Sequence, residues 1–230
     1  MAQKLRQRNT DNKKVLEGME HLILCEGLDA RNFLIYYLNS QPLSDIPAFS
    51  RTFQVEDFGG NEELPTQIQL WTRAPGFNQL KSVLVIRDAE TSSESASQHV
   101  IHAFKDAGLP VPEYPCQITK GEVLQTGFAL FPSFSELQRN GTLEDLCLSI
   151  LEETEKPVLD EINLFICKLK DKELRSFPRK FKTRLHTYFS ITDNYVSLKI
   201  GEAAKAGAFN WESPKLSPLK SFLYEVSCSG

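Results

Sequence analysis

The apolar positions of this chain follow two rhythms. Leu22-Ile23-Leu24-Cys25 and Val83-Leu84-Val85-Ile86 are unbroken apolar runs with the length of a strand buried on both faces, and strand patterns also lie at 52–58 and 126–131. Between them the period becomes helical. Phe33, Leu34, Tyr37 and Leu38 share one helical face; Leu64, Ile68 and Trp71 share another, with Pro65 tolerable only in a first turn. A third helix is predicted over 95–107, ended by Gly108 with Pro110 just beyond. A fourth follows the cap Thr142, with Leu143, Leu146, Cys147 and Ile150 on its apolar side. Further helices are predicted over 157–170, 178–189, 198–206 and 219–226. Strands alternating with helices predict an α/β fold: a Rossmann-like, mostly parallel sheet flanked by helices, followed by a helical C-terminal part. The expected division is a flexible segment 1–20, an α/β domain 21–150 and a helical extension 151–230 that packs on it, with the boundary near 151–157.

The first and third strands both close on acids, Glu26 and Asp29 after one, Asp88 and Glu90 after the other. Gly27 permits a tight strand-to-helix turn, leaving Glu26 at the strand tip and Asp29 at the helix start, where it is either an N-cap or a ligand. In an open α/β sheet the crevice outside the strand C-termini is where ligands bind. If the two strands are neighbours, four carboxylates meet there, and they resist ionising together unless a cation neutralises them. Oxygen donors of this kind suit Mg²⁺ or Mn²⁺. Asp88 is the most diagnostic position, because a charge ending a nearly all-apolar strand must be solvated or paired with a cation.

Composition narrows the setting. With 230 residues the chain is long enough to bury a proper core, and its net charge of −4 does not mark it as a general nucleic-acid binder. That average hides a local excess: between Lys168 and Arg184 stand eight Lys and Arg against only Asp171 and Glu173, a stretch able to hold a phosphate backbone if it faces the acidic crevice. The five cysteines have no close pairs, and the histidines, including His99 and His102, lack metal-ligand spacing. No apolar run is long enough to span a membrane and no hydrophobic segment follows the polar residues 1–14, so a cytoplasmic location is expected. Phe209, Trp211 and Phe222 are aromatic positions that suit either core or the surface of a homodimer or partner.

A strand ending Glu26-Gly27 with an acid three positions on, followed some sixty residues later by the strand ending Asp88-Ala89-Glu90, resembles a Toprim domain. The segment Gly141-Thr142-Leu143-Glu144-Asp145-Leu146, preceded by the 126–131 strand and Pro132, resembles small stand-alone Toprim proteins related to the OLD-type nucleases. So does the tail from Lys182-Thr183-Arg184-Leu185-His186 onward. The resemblance covers about residues 20–225. The family pattern is Asp-x-Asp, whereas this chain has Asp88-Ala89-Glu90 with no glycine directly after it.

The resemblance implies a metal-dependent nuclease, with Glu26, Asp29, Asp88 and Glu90 as ligands of one Mg²⁺ or Mn²⁺ ion and Glu144 with Asp145 supporting a second. Glu26 doubles as general base and Lys182 meets charge developing on a phosphate, while Arg179, Lys180 and Arg184 hold the nucleic acid. Arg87 and His186 are weaker candidates. The substrate class is DNA or RNA, tRNA included, and the implied setting is the effector or toxin of an anti-phage defence module with an ATPase partner. Plainer readings stand beside these roles: Glu144 and Asp145 sit where a helix dipole favours acids anyway, and the basic run is also a solvated helix face. Two other functions are kept open, a non-catalytic Toprim regulatory protein and a primase-like nucleotidyl transferase, although no Gly-rich phosphate loop is present.

Overall fold

The strands are β1 (His21–Cys25), β2 (Phe53–Asp57), β3 (Ser82–Asp88), β4 (Ile118–Lys120) and β5 (Gln125–Phe131), arranged in one sheet in the order β2-β1-β3-β5-β4. All neighbours are parallel except β4, which pairs antiparallel with β5 at the edge. This structure is a computed structural model and describes residues 16, 18–44, 52–134 and 139–228. The expected flexible segment 1–20 therefore falls largely outside the described residues.

The longer helices are α1 (Gly27–Leu38), α2 (Leu64–Thr72), α3 (Ser93–Asp106), α4 (Leu143–Asp171), α5 (Lys180–Ser190), α6 (Ile200–Lys205) and α7 (Ser217–Cys228). Both faces of the sheet are covered, which is why β1 and β3 need apolar residues at successive positions. Ile23, Cys25, Leu84, Ile86 and Phe131 face a core completed by α1 and α4 to α7. Leu22, Leu24, Val83, Val85 and Leu130 face the opposite core, completed by α2 and α3. Each such aliphatic side chain stabilises the fold by about 1.5–3 kcal/mol through its burial.

The connections determine where a ligand can sit. From β1 the chain passes through α1, on one face, to β2 at the edge. It then crosses back through α2, on the other face, to β3 on the far side of β1. The direction of winding thus reverses between β1 and β3, and the helices on either side leave a crevice at the C-terminal ends of these two strands.

One expectation for the C-terminal part needs correction. The helices expected at 143 onward and at 157–170 are continuous as α4, kinked at Glu155, whose φ of −114° and ψ of 16° are not helical. Pro157 explains the kink: it has no N–H to give to the preceding turn, and its ring crowds that turn's carbonyl. The division expected near 151–157 lies within this helix, and residues on both sides of it share one core. Phe209 and Phe222 are buried and Trp211 packs on the same core, with Phe33 edge-on to both Phe209 and Trp211. Phe209 and Phe222 thus belong to the core, and Trp211, partly buried, packs against it. No helix among the described residues is long and apolar enough to cross a membrane.

Candidate functional site

β1 and β3 pair in register with Cys25 opposite Ile86, so Glu26, the next residue, comes level with Arg87 at the sheet rim. Gly27 follows with φ of +81°, a left-handed conformation that Cβ-bearing residues rarely adopt, and α1 begins at once. Glu26 is thereby held at the strand tip. Arg87 is 1% exposed and fully engaged. Its Nε donates to the Asp88 carbonyl (3.1 Å), its Nη1 contacts Asn61 Oδ1 and His99 Nδ1 (3.0 Å to the latter), and its Nη2 lies 3.5 Å from Glu26 Oε2. The last contact is an ion pair without hydrogen-bond geometry, since Glu26 Oε2 is buried and has no hydrogen-bond partner. His99 is pushed below its usual pKa by burial and by Arg87, which suits the neutral ring to accept from the guanidinium.

Alternation along β3 turns Asp88 to the face opposite Arg87, beneath the start of α4. There Asp88 Oδ1 accepts from the Leu143 N–H at 2.9 Å, one of the four amides that a helix start leaves free. Even so, its carboxyl is pushed up to about 8, first by burial and then by Glu26 and Glu144, with Glu90 adding less; the Leu143 hydrogen bond pulls the other way. Glu26 is likewise raised, first by burial and then by Glu90, against the opposing pulls of Arg87 and of the Asp88 backbone N–H. The centre of the site is therefore the buried Asp88 carboxyl, with Glu26 on one side facing Arg87 and Glu144 on the other facing Lys182.

Around it lies a cleft of about 470 Å³ lined by Glu26, Asp29, Asp88, Glu144, Lys182 and residues of the α6 start. Lys182 Nζ is 3.4 Å from Glu144 Oε1, which brings the N-terminus of α5 to the cleft from the helical part of the chain. Five of the residues expected to act together are thus gathered by elements remote in sequence.

The remaining expected residues are placed differently. Asp29 lines the cleft but does not cap its own helix: its Oδ1 accepts from Gly201 N at 3.0 Å, fastening α6 to α1. Helix approach is close here, since a Cβ on Gly201 would come within 2.6 Å of Asn32 Cβ. Asp145 is a helix cap, its Oδ2 accepting from Thr142 N (2.8 Å) and Thr142 Oγ1 (3.1 Å). Glu90, with φ of 53°, pairs through its backbone with Gly141 and lines a neighbouring hollow with Asn61, Arg87 and His99, not the main cleft. Arg184 pairs with Glu152 at 2.9 Å. Lys180 lines a separate hollow with Lys170, Arg175, Asp171 and Glu173, Arg179 is exposed ahead of α5, and His186 stands edge-on to Phe189.

Sequence reasoning gave too little weight to Arg87 and passed over Lys199 and Glu202, which also line the cleft. Arg87 did leave a signal: a cation inside an otherwise apolar buried strand demands partners. Lys199 and Glu202 leave only a weak one, the three-residue spacing by which Glu202 Oε2 accepts from Lys199 N.

The donor set fits a hard divalent cation in kind, through an orphaned buried carboxylate oxygen on Glu26 and the raised carboxyl of Asp88. It is not a closed cage: among the described residues no three His, Cys, Asp or Glu groups are grouped to hold one ion. No curated protein and no solved structure matches the chain. A family model does match, over residues 20–228, taking in every residue that lines the cleft. The chain belongs to that family, the protein of unknown function family DUF3226.

Proposed function

We propose that the cleft hydrolyses phosphodiester bonds of nucleic acid with the help of Mg²⁺ or Mn²⁺, in the manner of a Toprim nuclease. The observation that carries the reading is the meeting of Glu26, Asp88, Glu144 and Lys182 at the switch point of the sheet, where burial and then Glu26 and Glu144 push the Asp88 carboxyl up to about 8. Glu26, Asp88 and Glu144 are the oxygen donors that would hold one or two ions. Bound there, the ions supply Lewis-acid activation of water and neutralise phosphoryl charge. Arg87 fixes the Glu26 carboxylate against the strand tip, and the raised pKa of Glu26 suits it to take a proton from an attacking water. Lys182, half exposed at the mouth of the cleft, can leave Glu144 to meet negative charge on the phosphate. Asp29 and Asp145 keep the walls of the cleft in place.

Plasmid nicking and tRNA cleavage, each with and without Mn²⁺, test this reading. Wild-type protein is expected to cleave only with the ion, and folded Glu26→Ala protein not to cleave. Undiminished cleavage by Glu26→Ala would falsify the assignment. The setting of an anti-phage module with an ATPase partner rests on the resemblance, and co-expression with a neighbouring ATPase followed by pull-down tests it.

One observation favours a second reading. Arg87 already opposes the charge of Glu26, and the carboxylates are not grouped as a cage, which suits a Toprim scaffold whose altered Asp88-Ala89-Glu90 motif no longer binds metal and which acts in regulation. Under that reading Mn²⁺ leaves the thermal midpoint of the wild type unchanged.

A further inference from the structure

We propose that the tip of the α4–α5 hairpin is a binding surface for single-stranded nucleic acid, leading an extended strand into the cleft; the inference rests on the phosphodiester reading above and names its substrate class. Lys180, Phe181 and Lys182 are consecutive at the start of α5. Lys182 lines the cleft, while Lys180 lines a second hollow of about 750 Å³ together with Lys170 and Arg175. Residues two apart on a helix differ by a rise of about 3 Å and a turn of about 200°, so Lys182 and Lys180 project to different sides of the first turn of α5, one toward each hollow.

Charge complementarity points to a polyanion. The chain carries a net charge of −4, yet eight of its cations lie between Lys168 and Arg184 against only Asp171 and Glu173. Lys168, Lys170, Lys172, Arg179 and Lys180 are exposed, and none forms an ion pair among the described residues. Asp171 and Glu173 line the second hollow as well and offset part of this charge; a phosphate backbone would offset the remainder.

The aromatic between the lysines selects the kind of polyanion. Phe181 is 49% exposed and stands between the two lysines in the first turn of α5. A half-exposed aromatic among cations that follow a backbone is the arrangement that stacks unpaired bases, and a duplex offers it no free base face. An acidic polypeptide would meet the lysines but has no general use for the ring.

Binding in EDTA separates this proposal from the cleavage reading. Fluorescence anisotropy of the full chain with a labelled 12-nucleotide oligo(dT) is compared with a 12-base-pair duplex and with polyglutamate, at several salt concentrations. The single strand should bind most tightly. Lys170→Glu/Arg175→Glu/Lys180→Glu protein should lose most of that binding, and neutral Lys170→Gln/Arg175→Gln/Lys180→Gln protein should reduce the salt slope by about 2. Phe181→Ala should weaken binding about tenfold while leaving the salt slope alone. Circular dichroism checks that each variant is folded. Equal affinity for duplex or polyglutamate, or a folded charge-reversed protein that binds as the wild type does, overturns the surface even if cleavage is observed. Oligonucleotide binding in EDTA without cleavage under any ion leaves the surface standing and removes the nuclease reading.

Discussion

Two pairs of carboxylates stand within the same small region, and they are in opposite situations. Asp29 and Asp145 each accept from helix-start amides, Gly201 N for one and Thr142 N for the other. Glu26 and Asp88 end strands at the switch point: Glu26 keeps a buried oxygen without a hydrogen-bond partner, and Asp88 has a single amide against several neighbouring acids. A carboxylate that ties one element to a helix start fastens the fold, whereas one buried among other acids is available to a cation. Proximity to the cleft does not separate the pairs, since Asp29 lines it as fully as Glu26. What sets Asp88 apart is burial beside Glu26 and Glu144, which raises its carboxyl although it too accepts a helix-start amide.

The largest expected effects lie on the strand-tip pair. Glu26→Ala and Asp88→Asn should each lower Mn²⁺-dependent cleavage by roughly 10²–10⁴-fold, the scale of a lost acid–base group or ligand. Lys182→Gln should lower it by on the order of 10²-fold, the scale of one lost charge-stabilising donor. Cleavage need not be detectable for the comparison to be tested. Mn²⁺ at a hundred times its dissociation constant stabilises a protein by about 2.7 kcal/mol, so the wild-type thermal midpoint should rise measurably. Both variants should lose that rise. If Asp88→Asn retains the full shift, the strand-tip acids are not where the ion binds.

The next effect is in pH. Asp88 titrates near 8 in the folded chain against an ordinary value near 3.8. Between those values the folded state therefore holds a proton that the unfolded state has lost, and stability falls as pH rises through that window. Each unit of difference corresponds to about 1.4 kcal/mol. Asp88→Asn, which cannot ionise, should be more stable than the wild type at pH 8, with the difference shrinking as pH is lowered toward 4. Denaturant melts at both ends of the window measure this, and equal wild-type and variant stability at pH 8 would show that Asp88 ionises without strain. The same proton must leave before a cation can bind, so Mn²⁺ affinity should rise with pH up to about 8 and then level.

How much of this was legible beforehand follows the range of each interaction. β1 and β3 were readable because burial on both faces imposes apolar runs, and their acids were readable because strand tips interrupt those runs. β4 was not, since three partly exposed edge residues carry no pattern. The partners of Asp29 and Arg184 were beyond reach for another reason: Gly201 lies 172 residues from Asp29 and Glu152 lies 32 from Arg184, and nothing local to either residue announces them. Local signals located Asp145 in a first helical turn, but whether it would cap or bind metal depended on how Thr142 was turned. The sheet was thus legible from periodicity, while the division of labour among the acids was fixed by tertiary hydrogen bonds.

The smallest expected effects fall on the capping pair, and they bear most directly on the contrast. Asp29→Ala removes the acceptor from Gly201 N, and Asp145→Ala removes it from Thr142 N and Oγ1, at a cost of about 1 kcal/mol each. Asn at either position keeps an oxygen in place and should restore most of that loss. If capping is their whole contribution, the Ala variants lower the thermal midpoint yet keep the Mn²⁺-induced rise, and the Asn variants approach the wild type in both. Asp29 is the sharper test because its second oxygen is not tied to Gly201 and its side chain lines the cleft. An Asp29→Asn protein with an unchanged midpoint but no response to Mn²⁺ would move Asp29 into the ion-binding set and dissolve the distinction between fastening and available acids.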